Sequence, residues 1–70
     1  MHDCKFIQEA FIRIARDSGF TMDGVEVAIF TGQLLNCSPF TVYAAFSDMD
    51  TMNAVANGSH PAVKKVENSG

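Results

Sequence analysis

The chain has 70 residues, 47% of them hydrophobic, and a formal net charge of −3 from 8 acidic and 5 basic side chains. This length allows one small domain, and the apolar fraction is high enough to exclude global disorder. Because Lys and Arg at phosphates supply most of the affinity for nucleic acids, the acidic balance disfavours a nucleic-acid partner. No stretch of sequence approaches the roughly 18 continuous apolar residues of a membrane span.

The first residues and the two cysteines bear on the cellular compartment. The chain begins with MHDCKF, which lacks a basic segment followed by an apolar one, so we expect a cytoplasmic protein. In that compartment Cys4 and Cys37 are expected to be free, reduced and largely buried. Together with His2 and His60 they contain the right atoms for zinc. The spacing lacks the paired ligands of short zinc motifs, so we expect no metal.

A first helix is predicted from about Asp3 to Ser18. Gly19 follows as the residue just past its end. Ile12 falls on the polar side of this helix, where it is either exposed or a contact point. The apolar residues that recur at intervals of three and four, and so predict one buried stripe, are Phe6, Ile7, Ala10, Phe11 and Ile14.

A second helix is predicted from Asp23 to about Leu35, because Asp23 and Glu26 have the spacing of a capping box. Gly32 weakens such a helix unless a neighbouring helix approaches closely there. A strand over VEVAIF is the minor alternative, with no strand nearby to pair with it. The residues of this helix expected to face the core are Val25, Ala28, Ile29 and Leu35.

A turn and a third helix follow. Asn36 is suited to the left-handed turn conformation, Ser38 to the N-cap, and Pro39 to the first helical position. The helix is predicted to run to about Phe46, and at the longest to Asp48. Its buried side is expected to consist of Val42, Ala45, Phe46 and Met49.

A short fourth helix is predicted over about 51–57, capped by Asp48 or Asp50 and ended by Gly58. Beyond it, His60 and Pro61 restart the chain, and the residues AVKKV suit one more helical turn.

The segment TGQLLNCSPFTVYAAF resembles the turn and recognition helix of helix-turn-helix regulators, in which strings such as LLGVSxxTVYRxL are common. Asn36 stands where that family usually has glycine. The resemblance implies an all-α fold, a small bundle of four to five short helices containing a helix-turn-helix-like unit. This domain would span 1–58, with 59–70 as a C-terminal turn and frayed tail. The positions that match the family's core apolar positions are Leu35, Cys37, Val42 and Phe46.

The outward side of the third helix departs from the family pattern. Base edges in the major groove are read chiefly by Arg, Lys, Asn and Gln, and none of these occurs on that side. Aromatic residues without nearby charge are typical of the centre of protein–protein contacts. The simple alternative is that Phe40 tucks against the first helix or the tail and Tyr43 covers the edge of the core. The predicted partner-binding residues are Phe40, Tyr43, Ala44 and Ser47, with Asp48 and Asp50 steering a basic partner.

Two functional hypotheses follow. The first is a small acidic regulatory protein that binds another protein, as an anti-activator or anti-repressor of a transcription factor does, for example in mobile genetic elements. The alternative is a direct DNA-binding regulator that acts as a dimer, with its third helix in the major groove. The residues that would contact DNA in that alternative are Ser38, Thr41, Tyr43, Arg13, Arg16, Lys64 and Lys65.

The sequence contains no feature typical of an enzyme. It has no glycine-rich phosphate loop, no Gly-x-Ser-x-Gly, and no histidine with a carboxylate partner in sequence reach. We therefore expect no catalytic activity, no cofactor and no small-molecule ligand.

Overall fold

The computed structural model describes residues 3–63. No strand occurs in this range, which confirms the predicted all-α bundle of four to five short helices, and the strand alternative for VEVAIF is wrong. Residues 61–63 are again helical. His2, Lys64 and Lys65 lie outside the described residues. The helices are α1 (Cys4–Asp17), α2 (Gly24–Leu35), α3 (Pro39–Ala44) and α4 (Met49–Ala56).

Each helix begins where a side-chain oxygen accepts a hydrogen bond from the backbone N–H three residues later. Such caps satisfy amide groups that have no partner within the helix, and each contributes about 1 kcal/mol. The predicted caps Asp23 and Ser38 are confirmed, and Asp3, for which no cap was predicted, caps α1 in the same way. The fourth cap is Asp48, so α4 begins at Met49, earlier than predicted. The acceptors and donors are Asp3 with Phe6 at 2.8 Å, Asp23 with Glu26 at 2.9 Å, Ser38 with Thr41 at 3.3 Å and Asp48 with Thr51 at 2.7 Å.

The turn between α2 and α3 depends on Asn36, which takes the predicted left-handed conformation with φ 57° and ψ 47°. The backbone N–H of Cys37 donates to the carbonyl of Gly32 at 2.9 Å, which closes the end of α2. Only Asn36, Cys37 and Ser38 separate the two helices.

The core lies where α2 meets the other three helices. Phe11 of α1 is fully buried, and its ring meets that of Phe46 edge-on with centroids 4.8 Å apart. Met52 and Val55 reach the same core from α4, and Val63 joins it at 2% exposure. Packing of this kind stabilises helices that are too short to form alone.

The predicted buried faces of α1 and α2 are partly wrong. Ile12 is buried at 3% exposure, whereas Phe6 is 50% exposed. On α2 the prediction is confirmed for Ala28, which is fully buried beside Val27, while Val25 and Ile29 are about two-fifths exposed. The reason is that α2 is apolar almost all round, so its sequence does not show which side its neighbours cover.

The end of α3 also differs from the prediction. The helix stops at Ala44 rather than Phe46, because residues 45–47 form the turn that leads to the cap at Asp48. Met49, predicted to be buried beneath α3, instead opens α4 and is 44% exposed.

Two glycines mark places where α2 comes very close to its neighbours. A Cβ on Gly32 would lie 2.7 Å from the carbonyl oxygen of Cys37, so the close approach at this glycine comes from the following turn and not, as predicted, from a neighbouring helix. At the other end of α2, the N–H of Gly24 donates to Asn53 Oδ1 at 2.9 Å, and a Cβ there would meet the same oxygen at 2.5 Å. These contacts fix α2 against α3 and α4.

The cysteines differ from each other in exposure. Both are free. Cys37 is half-buried and packs against the core, whereas Cys4 is exposed, so the prediction that Cys4 is buried is wrong. Cys4 is the first residue of α1, and the buried residues of that helix begin one turn later, at Ile7.

Candidate functional site

The exposed side of α3 is the first part of the candidate site. Ser38 and Pro39 start the helix, and Val42, which is fully buried, fixes its rotation against the core. Phe40 therefore points away from the core and is 76% exposed, the largest exposed fraction among the large apolar side chains in the described part of the chain.

Phe40 is held in place by Tyr43. The two rings meet at 89° with centroids 5.6 Å apart, an edge-to-face arrangement that aromatic pairs favour. Tyr43 is half-buried and packs against the core. The simple alternative of a buried Phe40 is therefore wrong, whereas Tyr43 does cover the edge of the core.

The small and polar residues of this side are also exposed. Ala44 and Ser47 lie at the surface, and the hydroxyls of Ser47 and Thr51 are 3.5 Å apart. Ser38 and Thr41, the candidate DNA contacts, have hydroxyl oxygens 3.4 Å apart, and Ser38 also caps α3. The Ser38 hydroxyl oxygen is therefore already used as a hydrogen-bond acceptor within the chain.

Two carboxylates, those of Asp48 and Asp50, lie exposed at the start of α4. Hydrogen bonds from the backbone N–H and then the side chain of Thr51 lower the pKa of Asp48 from its ordinary value of 3.8, because they favour the charged form. Asp48 is thus fully ionised at neutral pH. The charge beside the α3 face is negative.

Positive charge is confined to one helix of the described structure. The sequence has no Lys or Arg from position 17 to position 63, so α2, α3 and α4 carry none. Lys5, Arg13 and Arg16 all lie exposed on α1. Arg13 lines a groove with Leu34, which places it beside α2. Neither α3 nor the helices on either side of it in the chain offer a cation for a phosphate.

A second exposed apolar surface was missed by the sequence analysis. It lies on α2, and we call its members the α2 strip. The one sequence signal for this surface is that α2 is apolar almost all round. A helix in a small bundle buries one side only, so some of its apolar residues must remain exposed. The strip consists of Phe30, which is 50% exposed, and Leu34, which is 67% exposed, four residues apart on one side of α2. Val25 and Ile29, about two-fifths exposed, lie on the other side of the helix, beyond Glu26 and Gln33.

The α2 strip borders two shallow grooves along α1. Leu34 lines one groove with Phe6, Glu9 and Arg13. A second groove, lined by Phe30 and Leu34 together, extends toward the end of α1. On the opposite side of the helix, Ile29 lines a groove with Cys37 and Pro39 of the turn before α3.

Comparison with protein-family models, with curated proteins and with solved structures found no match to this chain. Within residues 3–63, no three His, Cys, Asp or Glu side chains lie close enough together to hold a metal ion. None of the helices in that range has the length and apolar character required to cross a membrane.

Proposed function

We propose that this chain is a small regulatory protein that binds another protein through the exposed side of α3. The contact consists of Phe40, Tyr43, Ala44 and Ser47, with Asp48 and Asp50 beside it. In this proposal α2, the turn and α3 form a helix-turn-helix-like unit whose outer face binds a protein instead of DNA. The observation that carries the proposal is the 76% exposure of Phe40 on a helix without positive charge.

The energetics of aromatic contacts support this proposal. Large aromatic side chains at the centre of an interface commonly contribute about 2 kcal/mol or more when tested by truncation. The edge-on contact with Tyr43 restricts Phe40 before binding, so less side-chain entropy is lost when a partner covers it.

The charges beside Phe40 indicate the kind of partner. Asp48 and Asp50 would attract a basic surface and speed the encounter, because complementary charges raise association rates. A DNA-binding transcription factor has such a surface. Binding to it would block or modify its action, which is how an anti-activator or anti-repressor works.

The alternative, direct binding to DNA, finds less support. Major-groove readout requires Arg, Lys, Asn or Gln on the reading face, and phosphate contacts require cations. The α3 face has neither, and Asp48 would repel phosphates. Lys64 and Lys65 lie outside the described residues and are tested by substitution below.

Affinity purification of the full chain from its native cell, with mass spectrometry and sequencing of any retained DNA, tests the proposal. We expect one stoichiometric protein without nucleic acid, and we expect Phe40→Asp to abolish its recovery. Asn57→Asp is the matched control. It adds the same charge at an exposed site and keeps the acceptor for the Ser59 N–H, so recovery should be unchanged.

Two results would contradict this function. One is enrichment of a single DNA sequence without a bridging protein. The other is loss of binding, together with a flatter salt dependence, in the variant Lys64→Ala with Lys65→Ala, which is the behaviour of phosphate contacts. Circular dichroism of Phe40→Asp should remain that of the unmodified chain, because Phe40 is not part of the core.

A further inference from the structure

The α2 strip is an apolar surface that the bundle leaves uncovered. A helix that is hydrophobic all round is normally enclosed on every side. Here α1, α3 and α4 cover the side that carries Val27 and Thr31, while Phe30 and Leu34 remain at least half exposed. Something outside the described bundle would therefore complete the burial of α2.

A row of alternating charges runs along α1 beside this strip. Lys5, Glu9, Arg13 and Asp17 are spaced four residues apart, and residues at that spacing form one ridge on a helix surface. Glu9 and Arg13 line the groove of Leu34, and Asp17 lines the groove shared by Phe30 and Leu34. Three of the four ridge residues therefore border the strip, and Lys5 continues the ridge one turn beyond Glu9.

The charges of this ridge are complementary to those of a second α1 that runs in the opposite direction. Along α1 the signs run plus, minus, plus, minus, so an antiparallel copy presents minus, plus, minus, plus. Lys5 would then face Asp17 of the second copy, and Glu9 would face Arg13. In a dimer with a two-fold axis every contact occurs twice, so Asp17 of the first copy also faces Lys5 of the second. Opposite charges therefore meet along the whole length of the two ridges.

Three of the four ridge residues have no ion-pair partner within the described part of the chain. Within residues 3–63 the charged side chains that come within ion-pair distance of each other are Arg16 and Asp17, at 3.9 Å. Lys5, Glu9 and Arg13 form no such pair with another residue of that range, and Asp17 is held only by its exposed neighbour Arg16.

The apolar area of the α2 strip also suits a dimer. Taking about 200 Å² for a large side chain, the exposed fractions of Phe30, Leu34 and the neighbouring Phe6 correspond to roughly 330 Å² of apolar surface. A standard interface buries about 800 Å² per partner, of which somewhat more than half is apolar. The strip and Phe6 together supply most of that apolar area on a chain whose total accessible surface is 4393 Å².

We propose that this face binds a second copy of the chain, giving an antiparallel two-fold dimer. The α2 strips pack against each other, and the charged ridges of the two α1 helices pair along the border. This inference goes beyond the proposed function, because it concerns α1 and α2 rather than the α3 face.

Sedimentation equilibrium of the full chain tests the apolar half of the proposal. We expect a dimer, and we expect Leu34→Glu to raise its Kd at least about thirtyfold, the factor that corresponds to a central contact of roughly 2 kcal/mol. Phe40→Asp is the control on the other face and should leave the dimer unchanged. Dimerisation through α2 and partner binding through α3 are therefore tested separately, and either result is possible without the other.

Charge exchange tests the orientation of the two copies. Glu9→Arg alone and Arg13→Glu alone each place like charges together twice per dimer, so each should weaken it at least about tenfold. The double variant, Glu9→Arg with Arg13→Glu, restores opposite charges and should return the Kd to within about threefold of the unmodified value.

Carbodiimide cross-linking of a mixture of ¹⁴N and ¹⁵N chains gives a direct readout. We expect a zero-length bond between Lys5 and Asp17 that joins light and heavy peptides. Within one copy these residues are twelve positions apart on α1, or about 18 Å, too far for such a bond. A chain that stays monomeric at about 1 mM, a dimer unaffected by Leu34→Glu, or a double variant as weak as the single ones would overturn the proposal.

Discussion

Gly32 is the residue at which the turn between α2 and α3 depends most on the absence of a side chain. We expect Gly32→Ala to lower the free energy of unfolding by about 1–2 kcal/mol, because overpacking against the Cys37 carbonyl outweighs the better helix propensity of alanine. Thermal and urea unfolding followed by circular dichroism measure the change. Gln33→Ala, at an exposed neighbouring position, should stay within about 0.5 kcal/mol of the unmodified chain. Equal stability of the two variants would contradict this account.

Asp48 should make part of the stability depend on pH. Its pKa in the folded chain is lowered below 3.8 by the hydrogen bonds from Thr51, so its contribution is present above pH 3.8 and is lost as pH falls through the lower, folded value. Asp48→Asn keeps an acceptor oxygen but does not titrate. We therefore expect the difference in unfolding free energy between the two chains to shrink on acidification below about pH 4. A difference that is constant from pH 7 to pH 2.5 would rule this out.

Capping residues are the part of the fold that could be predicted residue by residue. Asp23, Ser38 and Asn36 act through hydrogen bonds or backbone preferences that reach at most three residues along the chain, so the sequence contains the whole cause. Ile12 and Val25 were assigned to the wrong side, because their burial depends on which other helix packs there. Local periodicity does not contain that information.

Phe40 is the predicted site residue that the structure places most clearly at the surface. Its exposure could be anticipated because Val42, two residues on, fixes the rotation of α3 against the core. Phe30 and Leu34 could not be anticipated in the same way. Their exposure results from α1 and α4 packing against the opposite side of α2, which is a property of the whole bundle.

At the scale of elements, the start of α2 is tied to α4 by a single side chain. Asn53 Oδ1 accepts the hydrogen bond of the Gly24 N–H, one of the amides that the helix itself leaves without a partner. We expect Asn53→Ala to lower the free energy of unfolding by about 1 kcal/mol. Asn53→Asp retains an acceptor oxygen at the same place and should preserve most of that stability. Chemical denaturation of both variants distinguishes the lost hydrogen bond from a general effect of substitution. An equal loss of stability in both variants would contradict a contribution from this hydrogen bond.

At the scale of the whole molecule, dimerisation should raise the stability of the chain against thermal unfolding. A domain of about 60 residues has a small free energy of unfolding. Association with a second folded copy stabilises the folded state by mass action. We expect the midpoint of thermal unfolding to rise with protein concentration for the unmodified chain. Leu34→Glu should unfold at a lower midpoint that rises less over the same concentrations, because its dimer is weaker. Differential scanning calorimetry over a hundredfold range of concentration measures both, and identical behaviour of the two chains would argue against assembly through α2.

The segregation of positive charge onto α1 has a practical consequence for detecting this protein. Trypsin cleaves after Lys and Arg, and the chain offers it no site between Arg16 and Lys64. Digestion therefore releases α2, α3 and α4 as one long peptide, from Asp17 to Lys64, which routine proteomic searches for short fragments pass over. A protease that cleaves at acidic residues divides the same region at Asp23, Glu26, Asp48 and Asp50, so surveys of its abundance and partners should use that enzyme.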